Sequence, residues 1–225
     1  MDKLRFAIVG AGAIAGVHAA SISELGNASL TGVFDASETA AARFAEKWGV
    51  RAYARYEDLL ADENVDAVTI LTPSGLREDF AVKAARAKKH VVCEKPIEIR
   101  ADRIDRMIRA CDEGGVTLSG IFNNRFNEVY SRVKRAVDEG DFGRLVLGDV
   151  YVKWYRSDEY YKTSGWRGTW AYDGGGALMN QSIHFIDLLQ WIMGPVAEVK
   201  AFAGALLHPI EVEDTAVAAV RFESG

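Results

Sequence analysis

The chain has 225 residues, 49% of them hydrophobic, which suits one or two globular domains with a sizeable core. Its 32 acidic and 27 basic residues leave a net charge of −5, and no Lys/Arg cluster tracks a phosphate backbone, so nucleic acid is not an expected direct partner. No apolar run approaches the roughly 18 residues of a membrane span, the charged start at Asp2, Lys3 and Arg5 does not read as a signal peptide, and Cys93 and Cys111 make no disulfide framework. The expectation is a cytoplasmic protein with no membrane association.

The first strand is expected over residues 4–9. It breaks into Gly10-Ala11-Gly12-Ala13-Ile14-Ala15-Gly16 ahead of an alanine-rich helix near 13–25. Gly-x-Gly-x-x-Ala between strand and helix reads as a dinucleotide loop, with Ala13 and Ile14 among its cofactor-binding residues. Gly10 permits the tight turn, Gly12 leaves room for a pyrophosphate against the backbone, and small Ala15 lets helix and strand pack closely. The next strand, near 28–35, ends in Asp35, an acid about 20 residues beyond the loop, where a carboxylate accepts adenine-ribose hydroxyls. Asp35 would repel a 2′-phosphate, and Ala36-Ser37 offers no arginine to bind one. NAD is therefore favoured over NADP. The other reading makes Asp35 the N-cap of the helix that begins near Ser37.

The alternation continues with a helix near 37–48, strand 66–71, a helix near 75–88, strand 89–94, a helix near 101–113 and strand 116–122. It predicts an α/β domain, a parallel sheet with helices on both faces, and a ligand beyond the carboxyl ends of the strands. Thr72-Pro73-Ser74 and Glu94-Lys95-Pro96 both fall at such ends and are expected to line one crevice. A lysine at the end of a buried strand is open to loss of water, which makes an amine usable as acid or base near neutrality. A solvated Glu94-Lys95 ion pair is the alternative; the proline that locks the turn immediately afterwards speaks against it.

After Asn123 the pattern changes, which divides the chain into residues 1–122 and 123–225 with no Gly/Ser linker between them. Helix-like Glu128–Glu139 leads to Leu145–Trp154, where Val150, Val152 and Trp154 alternate with Tyr151, Lys153 and Tyr155 as on a two-faced strand. A glycine- and aromatic-rich loop, an apolar helix near 177–193, and strands near 196–206 and 215–222 complete an α+β domain on a mainly antiparallel sheet. On that helix Asn180, His184 and Asp187 are spaced i, i+4 and i+7, along one face. A lone helix histidine is also compatible with a satisfied core residue. His184, Asp187 and His208 match no strong zinc spacing, so no metal is expected.

The Gly-rich loop, Glu94-Lys95-Pro96, and the helix with Asn180, His184 and Asp187 together resemble the Gfo/Idh/MocA family of sugar and polyol dehydrogenases, from Leu4 to the end of the chain. Trp166-Arg167-Gly168-Thr169, the stretch from Asp173 to Gln181, and Asn124-Arg125-Phe126-Asn127 are similar to the branch that oxidises C3 of UDP-N-acetylglucosaminuronate. The resemblance implies a Rossmann domain followed by an open-sheet domain, and oxidation of a secondary hydroxyl of a sugar or nucleotide sugar to a ketone, with NAD as hydride acceptor. It implies that Lys95 hydrogen-bonds the reacting hydroxyl and hands its proton on. His184 would be the partner acid/base, held by Asp187 or a backbone carbonyl. Asn180 stands where many members have aspartate, so it can orient a hydroxyl but cannot take a proton. Glu94 would help set the nicotinamide and Lys95 geometry, while Thr72, Pro73, Asn123, Trp166 and Arg167 would complete the cofactor cleft. Trp166 as a core aromatic and Arg125 as a surface cation are the plainer readings.

Three departures stand out. Arg77 occupies a position that is often histidine after the Thr-Pro turn, Lys88 replaces a common glycine, and the chain stops at Arg221–Gly225 inside a strand-to-turn segment where family members continue. A fragment of a longer protein, with its second sheet incomplete, is the expectation. A homo-oligomer, dimer or tetramer, is expected through the C-terminal sheet, whose Tyr151, Lys153 and Tyr155 share one face. Which sugar is bound depends on loop 155–172, where Arg156, Lys162 and Arg167 could meet a uronate or diphosphate or serve only as rim charges. The rival function is a sugar- or dinucleotide-sensing regulatory protein of the same fold; retention of Lys95 and His184 favours the enzyme.

Overall fold

The computed structural model describes residues 3–225, which form two compact units, one ending at Ile121 and one running from Phe122 to Gly225. The first unit holds β1 (Leu4–Val9), α1 (Ala15–Glu24), β2 (Ala28–Phe34), α2 (Glu38–Trp48), β3 (Arg51–Tyr53), α3 (Tyr56–Ala61), β4 (Ala67–Ile70), α4 (Arg77–Arg86), β5 (His90–Cys93), α5 (Ala101–Gly114) and β6 (Leu118–Gly120). The strands make one parallel sheet in the order β3-β2-β1-β4-β5-β6. From β1 the chain winds outward to β3 and then returns to β4 on the other side, so strand order reverses between β1 and β4. That reversal is where a doubly wound sheet opens a crevice.

Burial on both faces explains why the strands read as unbroken apolar runs. Along β1, Ala7 and Val9 join the cluster that holds Val68, Ile70, Val91, Cys93 and Met107, while Ile8 joins Ala15, Ala19, Val33 and Phe44 on the opposite face. Ile8, Val9, Val68 and Ile70 are wholly buried, each contributing roughly 1.5–3 kcal/mol. Short β3 and α3 are not signalled by the sequence pattern. Of the three residues of β3 only Tyr53 is buried, too few for a period to register.

The second unit contains a 3-10 turn at Asn123–Phe126, α6 (Glu128–Asp138), α7 (Asp158–Lys162), α8 (Ile183–Met193) and the antiparallel pair β7 (Val196–Gly204) and β8 (Thr215–Phe222). Asn127 caps α6, its side-chain oxygen accepting the Val129 N–H at 3.0 Å. Two expectations are corrected here. Leu145–Trp154 belongs to no sheet, because alternation sets which side chains suit a strand while a ladder also needs a neighbour's backbone groups, and the described residues supply none. The expected continuous helix near 177–193 is split: Ala177–Ser182 is π-helical and only Ile183–Met193 is α-helical.

Glu213 anchors the start of the π turn. Its carbonyl takes the Ala177 N–H at 2.8 Å and its carboxylate the Leu178 N–H at 2.8 Å, while the Gly176 carbonyl accepts both Asn180 N–H and Gln181 N–H, at 2.9 and 3.3 Å. A Cβ on Gly176 would lie 2.0 Å from the Glu213 carbonyl oxygen, so only glycine allows this approach. Among the described residues no helix is long and apolar enough to cross a membrane.

Candidate functional site

In the parallel register Val9 pairs with Phe34 and Ile70, and Ile70 with Cys93. The turns after β1, β2, β4 and β5 therefore leave the sheet together, bringing Gly10–Ile14, Asp35, Thr72-Pro73 and Glu94-Lys95 to one edge. Gly10 has φ +104°, its N–H donates to the Phe34 carbonyl at 2.8 Å, and a Cβ there would sit 3.1 Å from Leu71 and Thr72 backbone atoms. At Gly12 a Cβ would meet nothing within 4 Å, so protein packing does not demand the glycine and the space is open. No side chain caps α1 and no acid lies in its first turn. The Ala15 and Val17 N–H groups donate to the Gly12 and Ile14 carbonyls at 3.1 and 3.0 Å, so what remains for an anion is the positive dipole end of the helix, which no acidic side chain offsets.

Asp35 uses both oxygens on backbone: Oδ2 accepts the Ala11 N–H and Oδ1 the Ser37 N–H, each at 2.7 Å. It ties the glycine loop to the end of β2. The N-cap of α2 is Ser37, whose hydroxyl accepts the Ala40 N–H at 3.3 Å, and not Asp35. Thr72 Oγ1 is buried with no hydrogen-bond partner among the described residues. An uncapped helix end, an open glycine, a carboxylate with remaining lone pairs and an unsatisfied buried hydroxyl at one sheet edge fit a dinucleotide.

Glu94 and Lys95 follow β5. Glu94 Oε1 receives a hydrogen bond from His18 Nε2 at 3.0 Å and Oε2 one from the Lys95 N–H at 2.8 Å. Burial alone would raise the Glu94 carboxyl, but His18, the Lys95 amide and the charge of Arg77 outweigh it and hold the group below its ordinary value. Lys95 is half-buried and precedes a cis peptide bond to Pro96. Arg77, 5% exposed, donates from Nε to the Thr72 carbonyl at 3.0 Å and from Nη1 to the carbonyls of Glu94, at 2.6 Å, and Pro96.

In the second unit Asp173, 1% exposed, accepts the Gly168 N–H at 2.9 Å and the Asn180 side-chain amide at 2.6 Å. Asn180 thus fastens the π-helical turn to the loop that carries Trp166 and Arg167. Gln181 accepts two hydrogen bonds from Arg156, at 2.9 and 2.6 Å, and donates to Tyr160 Oη at 2.9 Å. The Arg167 guanidinium lies 4.3 Å from the Tyr160 ring centre and 5.5 Å from that of Trp166. His184 is half-buried, its ring edge-on to Phe122 at 6.4 Å. Asp187 pairs with Arg125 through two bonds, at 2.8 and 2.6 Å, so Arg125 is more than a surface cation. Asn123 is exposed in its 3-10 turn. With a π turn intervening, Asn180 and His184 do not share one continuous α-helical stripe.

Two residues of the first unit have contacts that sequence reasoning does not give. His18 stands between Ala15, Ala19 and Ile22, the buried stripe of α1; a lone polar residue on such a stripe is a readable signal. Arg77 stands out in the sequence only as a departure from the family pattern, because nothing local shows that its fork reaches the Glu94 carbonyl 17 residues on. Among the described residues no group of three His, Cys, Asp or Glu side chains could hold a metal.

Two family models match the chain: "Oxidoreductase family, NAD-binding Rossmann fold" over residues 4–122 and "GFO/IDH/MocA C-terminal domain" over residues 130–225. The chain is 30% identical to the myo-inositol 2-dehydrogenase of Thermotoga maritima over 99% of its own length and 66% of that protein's. It is also similar to the WlbA dehydrogenase of Chromobacterium violaceum, solved with NADH and UDP-GlcNAcA: 40% identity and a TM-score of 0.96 over 100% of this chain and 65% of that one. The WlbA dehydrogenase of Bordetella pertussis, with the same two ligands, gives 41% identity and a TM-score of 0.93 over 99% and 68%. The chain spans about two thirds of the length of these relatives.

Proposed function

We propose a function from one established premise: the chain belongs to the GFO/IDH/MocA family of oxidoreductases, whose Rossmann domain binds NAD. The protein of which it forms part or whole oxidises a secondary hydroxyl of a nucleotide sugar, of the UDP-N-acetylglucosaminuronate class, to a ketone. The observation that carries this reading is Lys95 at the carboxyl edge of the sheet that also carries the open glycine loop and Asp35. Similarity to two dehydrogenases solved with NADH and UDP-GlcNAcA supports the substrate class.

In this proposal the open backbone at Gly12, Ala13 and Ile14 and the uncapped start of α1 hold the pyrophosphate, with Gly10 shaping the turn. The remaining lone pairs of Asp35 accept ribose hydroxyls, and the Thr72 hydroxyl supplies a further hydrogen bond to the cofactor beside Pro73. NAD, when bound, accepts the hydride. The Lys95 amine sits within hydrogen-bond reach of the substrate hydroxyl and takes its proton as the C–H bond breaks. Glu94, kept anionic by His18 and the Lys95 amide, fixes the start of that side chain. We assign His184 the partner acid/base role, Asn180 the orientation of a hydroxyl, and Asn123, Trp166 and Arg167 contacts to the cofactor.

Self-association through the C-terminal sheet belongs to the same reading, supported by the exposed Val199, Phe202 and Val217 on β7 and β8; light scattering after size exclusion checks it. Free, buried Cys93 and Cys111 support a reducing, cytoplasmic setting. The test of function is growth of nicotinamide absorbance when the full-length protein receives NAD and UDP-N-acetylglucosaminuronate. Reduction at a rate proportional to enzyme is expected. Binding of both without reduction would favour the sensor, and failure to bind NADH would remove the proposal.

A further inference from the structure

We propose that Arg77 is a positioning residue for Lys95, an inference that rests on the reading of Lys95 as proton acceptor. The guanidinium is almost wholly buried and donates to three backbone carbonyls drawn from two different turns: Thr72 after β4, and Glu94 and Pro96 after β5. The last two bracket Lys95. Holding the peptide carbonyl that enters Lys95 and the carbonyl one residue beyond it restricts the backbone dihedrals that set the direction of its Cα–Cβ bond, and the bond to Thr72 ties that stretch to the neighbouring turn. The Lys95 N–H is held from the third side by Glu94 Oε2 at 2.8 Å.

The sequence supplies the element that makes this possible. Arg77 opens α4 immediately after the Thr72-Pro73 turn, so a long side chain from the first helical residue can run back to the sheet edge. A planar fork with several donors in one plane suits three carbonyls; a lysine ammonium is a point donor on a flexible stem and an apolar side chain offers none. Arg77 does not touch the reacting atoms in this assignment. It decides where Lys95 points.

The experiment compares wild type, Arg77→Lys and Arg77→Met in the full-length protein by amide hydrogen exchange, NADH titration and turnover with NAD and UDP-N-acetylglucosaminuronate. Exchange in residues 93–98 and 72–74 is expected to speed up about tenfold while the amides of β1 and β4 keep their protection. NADH affinity is expected to stay within about threefold, while kcat falls about 100-fold, as a displacement near 1 Å of a reacting group entails. Arg77→Met is expected to show the larger effect, and Arg77→Lys carries the test if Arg77→Met does not fold. Unchanged exchange in residues 93–98, or a rise spread evenly over the sheet, would overturn the proposal and leave Arg77 a general stabiliser. If wild type shows no turnover, the functional reading fails while hydrogen exchange still decides whether Arg77 holds the Lys95 turn.

Discussion

Asp35→Asn separates the two tasks assigned to one carboxylate. In the structure one oxygen accepts the Ala11 N–H and the other the Ser37 N–H, both at 2.7 Å. An amide has one oxygen, so whichever way it turns, its NH2 group meets one of these donors and a hydrogen bond is lost. Because one site is only partly buried and the other exposed, we place the cost at the low end of the range for a mismatched donor, about 1 kcal/mol, or about 2–4 °C in Tm. The larger effect is expected on the cofactor. Replacing an anionic acceptor of ribose hydroxyls by a neutral one removes about 1.5–3 kcal/mol of charge-assisted hydrogen bonding, which weakens NADH about 10- to 100-fold. Discrimination against NADPH narrows as the repulsion of its 2′-phosphate disappears. Fluorescence titration with NADH and NADPH, paired with thermal unfolding, reads both effects. Ser37→Ala is the control, since it removes the cap of α2 at about 1 kcal/mol but leaves the Asp35 carboxylate intact. If Asp35→Asn binds NADH as tightly as wild type, or if Ser37→Ala weakens it equally, the assignment of Asp35 to the ribose is refuted.

Three further outcomes are expected. Gly176→Ala drives a methyl group to 2.0 Å from the Glu213 carbonyl oxygen and should destabilise the second unit by about 3 kcal/mol, seen as loss of its transition in thermal circular dichroism. Hydrogen bonds from Arg5, assisted by its charge, hold the Asp66 carboxyl at about 2 against an ordinary 3.8; its contribution is present above pH 3.8 and lost as pH falls toward 2. With both side chains partly exposed that contribution is at most about 1 kcal/mol, and Asp66→Asn should flatten the acid limb of the stability profile by that amount. Burial pushes the Cys93 thiol up to about 12, so it stays protonated at neutral pH and should resist alkylation in the native protein. Mass spectrometry of labelled peptides before and after unfolding checks this.

Most of the first unit was legible because β1, β2, β4 and β5 are largely buried and run into Gly10, Asp35, Thr72-Pro73 and Glu94-Lys95-Pro96, whereas β3, with one buried residue, left no period to read. Val196–Gly204 and Thr215–Phe222 were legible for a different reason: their limits are marked by Gly194-Pro195, Asp214 and Gly225. Leu145–Trp154 misled because alternation records the side chains and not the neighbour that must complete the ladder. The π turn at Ala177–Ser182 was invisible in the sequence, and Glu213, which anchors its first two N–H groups and packs against Gly176, lies more than thirty residues away. The same holds at the candidate site. Gly10, Gly12 and Asp35 carry local signatures in their spacing, whereas the grip of His18 on Glu94 and of Arg77 on the Lys95 turn exists only once the strands are laid side by side.

The central claim is that Lys95 takes the proton of the substrate hydroxyl while NAD takes the hydride. Lys95→Ala in the full-length protein tests it most directly, with NADH affinity measured by titration and reduction of NAD followed with UDP-N-acetylglucosaminuronate. Affinity for NADH is expected to stay within about threefold while kcat falls by about 10²–10⁴, the range for removal of a positioned acid or base. Turnover by Lys95→Ala within a few-fold of wild type would contradict the claim and remove Lys95 from the mechanism.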